Sequence, residues 1–279
     1  MLKKVLLVVS LGVLLATMAV ASAGCASSSG LTAMLARVPS DTSSLEYVNA
    51  KALRNDADLD DLYDAWKASV DSRLDSHGID HNDVSSCVFG TGPGKRFTLV
   101  TGRFDLDEVR GELDDRHFDR DEYRGVEVWK KDTGWGYEQA SDVALMGDLI
   151  ILGNEEGVES CIKVIKAGNA SWLSKADVND VANRLPGGVW VSVEREWAGL
   201  LVGGLEAYGL SAKKLDSDTL KIAGVAKFED EDDADDALDM VENLMELQFR
   251  RVDVSQEGLF LEASAELDID DAESLFQGT

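Results

Sequence analysis

The residue types best suited to chemistry in this 279-residue chain fall in three short runs. "DSHGIDHND" places His77, Asp80, His81 and Asp83 within seven positions, and imidazole and carboxylate are both metal ligands. Gly78 breaks helical spacing between them, and a polar loop following a helix does not supply the fixed geometry a ligand set needs. These four are weak metal candidates, and the expectation is that no metal is held. "FEDEDDADDALD" is rich in the oxygen ligands Ca²⁺ prefers, yet it lacks the turn glycine and spaced bidentate glutamate of an EF-hand loop. Acidic residues at the start of a helix, favoured by its dipole, explain the run without a cation; "NDADLDDLYD" reads the same way. "GTGPGKRF", residues 90–97, evokes a phosphate loop, but Phe89 stands at the first glycine position and Arg96 replaces the Ser/Thr. A Gly/Pro hairpin turn is expected there.

No Ser/His/Asp set is legible, and with three histidines, including the isolated His117, acid-base work would fall on carboxylates. No catalytic residue is therefore assigned, a non-catalytic role is expected over an enzymatic one resting on carboxylates, and no cofactor is expected. Trp129 and Trp135 flank "KKDTG" and offer either an aromatic recognition surface or hairpin packing, the second being the commoner use.

One further residue has a chemical fate of its own. Lys3 and Lys4 precede an almost wholly apolar stretch, Val5 to Val20, and then the small residues 21–24 before Cys25, the plan of an export signal. Roughly 16 to 19 apolar residues barely span a bilayer, so cleavage is favoured over an uncleaved anchor. Ala21-Ser22-Ala23 permits release before Gly24, whereas Ala23-Gly24-Cys25 resembles the lipobox of bacterial lipoproteins, with Ser22 where that motif usually has leucine. The resemblance implies cleavage before Cys25 and a diacylglyceryl thioether on its sulfur. Acylation with two or more chains anchors stably. "CASSSG" then reads as a flexible tether, and the expected location is the extracytoplasmic face of the cell membrane.

Composition narrows the partners. Lys3 and Lys4 are the only charged residues among positions 1–24, so the remainder holds 25 basic and 53 acidic residues, a formal charge of −28. Such a surface repels polyanions, which argues against nucleic acid and against adhesion to anionic headgroups. At 44% hydrophobic residues with only three Pro, the composition is globular. Cys87 and Cys161 remain as either one disulfide or two buried thiols, and the second is expected.

The elements that position these residues repeat in outline. The expected division is 1–24 signal peptide, 25–37 lipidated cysteine and tether, 38–168 a first unit, 169–184 a connecting segment and 185–279 a second unit. Val38-Pro39 with "SLEYVNAKAL" opens the first, and Leu185-Pro186 with "GVWVSVEREW" opens the second. Leu59, Leu62, Tyr63, Trp66, Val70 and Leu74 form a helical stripe, for which "AGLLVGGLEAYGL", ending near Gly209, is the expected counterpart. "FTLVTGRFDLDEVRGEL" parallels "LKIAGVAKFEDEDDADDAL", each a strand leading to a helix capped by Asp105 in one case and by Asp232 or Asp233 in the other. "YRGVEVW" parallels "FRRVDVS", and turns are expected at Gly147-Asp148 and near Glu257-Gly258. An extra hairpin at Gly90 to Gly94 is expected in the first unit alone. Helices alternating with antiparallel hairpins give an α+β class: two pseudo-repeated units of antiparallel sheet with helices on one face.

The Val-Pro-Ser-Asp-Thr opening, "YRGVEVW" and "LMGDLIILG" resemble bacterial extracytoplasmic lipoproteins of unknown function built from a duplicated α+β domain, over residues 38 to about 275. The resemblance implies a fold and no catalytic residues. A non-catalytic binding or scaffolding role is expected, with a cell-envelope protein as partner; the alternative is a carrier of a lipid or other apolar ligand in a cavity between sheet and helices.

Overall fold

A computed structural model of the chain describes residues 28–131, 142–195, 203–247 and 249–275. Cys25 and the apolar stretch before it lie outside the described residues. Part of the segment read as a flexible tether is ordered: Ser28–Leu35 forms helix α1, with Leu31, Met34 and Leu35 buried. Three apolar residues at helical spacing outweigh the preceding small polar run. Two compact units follow, centred on Ala33–Trp172 and on Leu173–Ala272.

The first unit contains β1 (Ser44–Val48), α2 (Ala50–Arg54), α3 (Asp60–Asp75), β2 (Val84–Gly92), β3 (Lys95–Gly102) and α4 (Leu106–Asp115). β4 (Asp119–Tyr123), β5 (Val126–Lys130), β6 (Asp142–Met146), β7 (Leu149–Gly153) and α5 (Glu155–Ala167) complete it. Its described strands pair antiparallel in the order β1-β2-β3-β7-β6-β5-β4. α3 buries Leu62, Trp66, Val70 and Leu74, the stripe read from the sequence, and the chain leaves it through Gly78 at φ 69°. The glycine-rich run is the β2–β3 hairpin, with Gly94 at φ 70°. Asp105 caps α4 as expected, its carboxylate accepting from the amides of Asp107 and Glu108 at 3.0 and 3.3 Å.

α4 is fixed to the sheet by an ionic contact. The Arg110 guanidinium donates to both carboxylate oxygens of Glu127 in β5, and Trp129 Nε1 donates to the same carboxylate at 3.0 Å. Burial raises the Glu127 pKa, but the hydrogen bonds from Arg110 and Trp129 outweigh it and hold the group below its ordinary value of 4.5. A depressed folded-state value contributes stability that is fully present above the unfolded pKa and is lost as pH falls through the folded one. Glu127→Gln is therefore expected to flatten the acid limb of a stability–pH profile below about pH 4.5. Urea melts at stepped pH check this; an unchanged acid limb contradicts it.

The second unit contains α6 (Ala176–Arg184), β8 (Trp190–Glu194), β9 (Leu205–Lys214), β10 (Thr219–Phe228), α7 (Glu231–Glu246), β11 (Arg250–Glu257) and β12 (Phe260–Asp268). Its strands run β8-β9-β10-β12-β11, all antiparallel. α7 packs Ala234, Ala237, Val241 and Met245 onto Tyr208, Phe228 and Leu261. Asp230, not Asp232 or Asp233, is its N-cap, accepting from the Asp233 amide at 2.9 Å.

The class is α+β with large antiparallel sheets, as expected, but three assignments change. "AGLLVGGLEAYGL" was expected to be helical; from Leu205 it belongs to β9, paired on both sides by β8 and β10, while residues 198–202 lie outside the described residues. Glycines at 203, 204 and 209 weaken a helix, and pairing with two neighbours decides the outcome. The hairpin at 90–94 is not peculiar to the first unit, because β9 and β10 form a hairpin at the same point in the second. "YRGVEVW" is not one strand: Arg124 and Gly125, at φ 53° and 73°, form the turn between β4 and β5. By strand order the position of "FRRVDVS" in β11 corresponds to β6, not to β5. Alternating apolar residues mark every half-buried strand, so that motif could not distinguish them.

A candidate binding cleft

The four weak metal candidates are given separate structural tasks. His77 is buried, with Nδ1 2.6 Å from the Arg73 carbonyl oxygen and its ring 5.7 Å from that of Phe118. His81 places Nδ1 3.2 Å from the carboxylate of Asp71, a partner the sequence reading did not single out. Asp80 caps a single helical turn by accepting from the Asn82 amide at 2.8 Å. The Asp83 carbonyl accepts from the Arg103 amide at 3.0 Å. Among the described residues no three His, Cys, Asp or Glu side chains converge as metal ligands. Trp129 is packed, at 6% exposure, while Trp135 lies outside the described residues.

Cys87 and Cys161 are both free and fully buried, and burial pushes both thiols well above their usual range. Since the thiolate is the reactive form, neither should react with a water-soluble maleimide in the folded chain. Both are expected to react within minutes of unfolding in guanidinium. Stoichiometric labelling of the native protein at either position would contradict this burial.

A cavity of about 570 Å³ opens in the first unit, and its walls come from four places in the sequence. One wall is a face of α5, where Glu156, Ser160, Lys163 and Val164 stand at spacings of four, three and one. Opposite stand Ser40 and Asp41, with Asn169 beyond the end of α5. Lys95, the first residue of β3, contributes the remaining charged group.

Local rules hold these parts in place. Asn154 caps α5 by accepting from the Gly157 amide at 3.0 Å, and the same oxygen accepts from the Arg96 amide while Nδ2 donates to the Gly94 carbonyl. One side chain thus ties the start of α5 to the β2–β3 turn that carries Lys95. At its other end α5 stops at Gly168, left-handed at φ 67°. The wall bearing Ser40 and Asp41 is braced from behind: the Trp172 amide donates to the Val38 carbonyl at 2.8 Å, its indole Nε1 donates to the Thr42 carbonyl at 3.2 Å, and Pro39 bridges to Ser171.

The cleft is charged on both sides. Lys95 is ion-paired with Asp41, and Lys163 pairs with Glu159 at 3.1 Å beneath the ring of Tyr123. The Glu159 bond, with Tyr123 adding to it, holds the Lys163 ammonium above its usual range, so it stays charged. Sequence reading missed the site because its residues span positions 39 to 170 and no local motif marks them. The nearest sequence signal was the Gly94-Lys95 pair of the discarded phosphate loop. A second depression of about 550 Å³, around Arg103 to Asp107, is bordered by one continuous segment at the start of α4.

No protein-family model matches the sequence. The chain is 26% identical over 163 residues to uncharacterized protein MJ0635 of Methanocaldococcus jannaschii, the match covering 56% of this chain. It spans about half, 54%, of that relative's length. Among solved structures, crystal forms I and III of TP0453 superpose with a TM-score of 0.56 each and form IV with 0.55, at 10%, 8% and 9% identity. Each covers 88% of this chain, against 98%, 98% and 96% of theirs. At that identity the likeness is one of fold.

Proposed function

We propose that this chain is a non-catalytic binding domain, held on the extracytoplasmic face of the cell membrane by acyl chains on Cys25, and that its ligand sits in the cleft against α5. The observation that carries the reading is the cleft itself. Polar side chains from four separate segments face one volume of about 570 Å³, and their supporting walls are fixed by capping and backbone hydrogen bonds. Such pre-formed concavity with a few convergent polar groups is the usual form of a small-molecule site. A lipid carrier would need a predominantly apolar lining, whereas this one is mixed, with Asp41, Lys95, Glu156 and Lys163 beside Val164 and Ala170.

The anchor is tested on the chain as made in its own cell. Mass spectrometry of the membrane fraction should find an acylated peptide beginning at Cys25, and Cys25→Ala should move the protein out of that fraction. An unacylated N-terminus in membranes, or unchanged partition of the variant, overturns the anchor. The cleft assignment stands or falls separately.

A further inference from the structure

The charges around the cleft are not equally committed, and their difference selects a ligand. Lys95, whose side chain is only 13% exposed, is neutralised by Asp41, and Lys163 by Glu159. Glu156 faces the same volume with no ion-pair partner among the described residues. One turn further along α5, Ser160 is 9% exposed and borders the cavity, and its hydroxyl has no hydrogen-bond partner among the described residues. A nearly buried hydroxyl beside an unpaired carboxylate presents two acceptors to whatever enters.

We propose that the cleft binds a primary amine, its ammonium group donating to the Glu156 carboxylate and the Ser160 hydroxyl. This deepens the binding reading above and rests on it. An anionic ligand would have to displace Asp41 or Glu159 from its lysine and then lie beside Glu156. An ammonium finds a partner without breaking either pair, and charge-assisted hydrogen bonds of this kind are the strong ones. The long-range field agrees, since a chain with formal charge −26 concentrates cations at its surface. A quaternary ammonium fits less well: it has no N–H to donate, and the nearby Tyr123 ring is already covered by Lys163 and Arg124 at 5.6 and 5.8 Å. The volume leaves room for the body of an aliphatic amine, along which Val164 supplies an apolar strip.

Isothermal titration of the full chain in detergent, at about 0.15 M salt to suppress diffuse attraction, provides the test, with 1,4-diaminobutane, tetramethylammonium and succinate as probes. The diamine is expected to bind, and the other two to bind at least tenfold more weakly. Glu156→Gln should weaken the diamine about tenfold or more, and Ser160→Ala should weaken it several-fold. Asp235→Asn, on the exposed side of α7, should leave it unchanged. Glu156 is exposed and the exchange nearly isosteric, so thermal melts should show the variant folded. Equal losses in Glu156→Gln and Asp235→Asn would reduce the binding to non-specific charge attraction and overturn the proposal. So would succinate binding in preference to the diamine, although a cleft that takes succinate leaves the broader binding reading intact. If none of the probes binds while a different ligand occupies the cleft, the amine assignment fails alone.

Discussion

Trp172→Ala is expected to remove about 3–5 kcal/mol of stability, the usual loss for deleting a large buried aromatic ring. Trp172 is fully buried, so its removal leaves a cavity as well as lost transfer energy. Its indole also donates to the Thr42 carbonyl, and a buried acceptor left unpaired adds about 1–3 kcal/mol within that range. A loss of this size is a large share of the ~5–15 kcal/mol that holds a typical domain together. Trp172→Phe keeps an aromatic ring in the site while abolishing the hydrogen bond and leaving a smaller cavity, so a loss between wild type and Trp172→Ala, about 1–3 kcal/mol, is expected from it. Since the same residue braces the wall carrying Ser40 and Asp41, ligand affinity should fall in Trp172→Ala even under conditions where the protein remains folded. Urea unfolding followed by intrinsic fluorescence and circular dichroism measures the stability. A Trp172→Ala loss below about 1 kcal/mol would show that the ring is not packed as described.

The second large effect reverses an ordinary rule. Glycine inside a helix costs roughly 1 kcal/mol relative to alanine, so replacing it normally stabilises. Two helical glycines of the first unit should respond with opposite signs. Gly111 in α4 has open space where a Cβ would go, and Gly111→Ala is expected to add about 0.5–1 kcal/mol. Gly157 in the first turn of α5 lies against the Arg96 carbonyl, where a Cβ would fall well inside contact distance of a backbone oxygen. Gly157→Ala must push α5 away from β3 and is expected to cost about 1–3 kcal/mol. That shift also separates Glu156 and Ser160 from Lys95, so the cleft should lose affinity with stability. Parallel denaturant titrations of the two variants provide the check; stabilisation by both would contradict the close approach of α5 to the β2–β3 hairpin.

These cases show what a sequence conveys and what it withholds. The α3 stripe, the Asp105 cap and the turns at Gly94 and Gly147 were legible because each follows from spacing or from local backbone need, within a few residues. β9 was not: Leu205 to Gly209 alternates weakly and contains glycine, and its strand form depends on pairing with β8 before it and β10 after it, which the pattern of this segment alone does not mark. The pairing of "YRGVEVW" with "FRRVDVS" failed for a related reason, since period-two patterning says that a strand exists and not which neighbour it takes. The cleft lay beyond reach altogether. Lys95 was visible only as part of a failed phosphate-loop pattern, and nothing in the local sequence sets Glu156 and Ser160 apart, because their common cavity exists only once α5 is docked. The histidines drew attention by type alone, and His77 and His81 are taken up by Arg73 and Asp71.

The claim that the cleft against α5 is a ligand site is tested most directly by native mass spectrometry of the full chain purified from its own membrane, beside Ala170→Trp. Ala170 is exposed and lines the cleft, so a tryptophan there should fill the volume while leaving the core intact. The account predicts a small polar adduct on the wild-type chain that is missing from Ala170→Trp, and, if the ligand is a primary amine, missing from Glu156→Gln as well. An adduct retained equally by all three chains, or phospholipid as the sole co-purifying molecule, would contradict it.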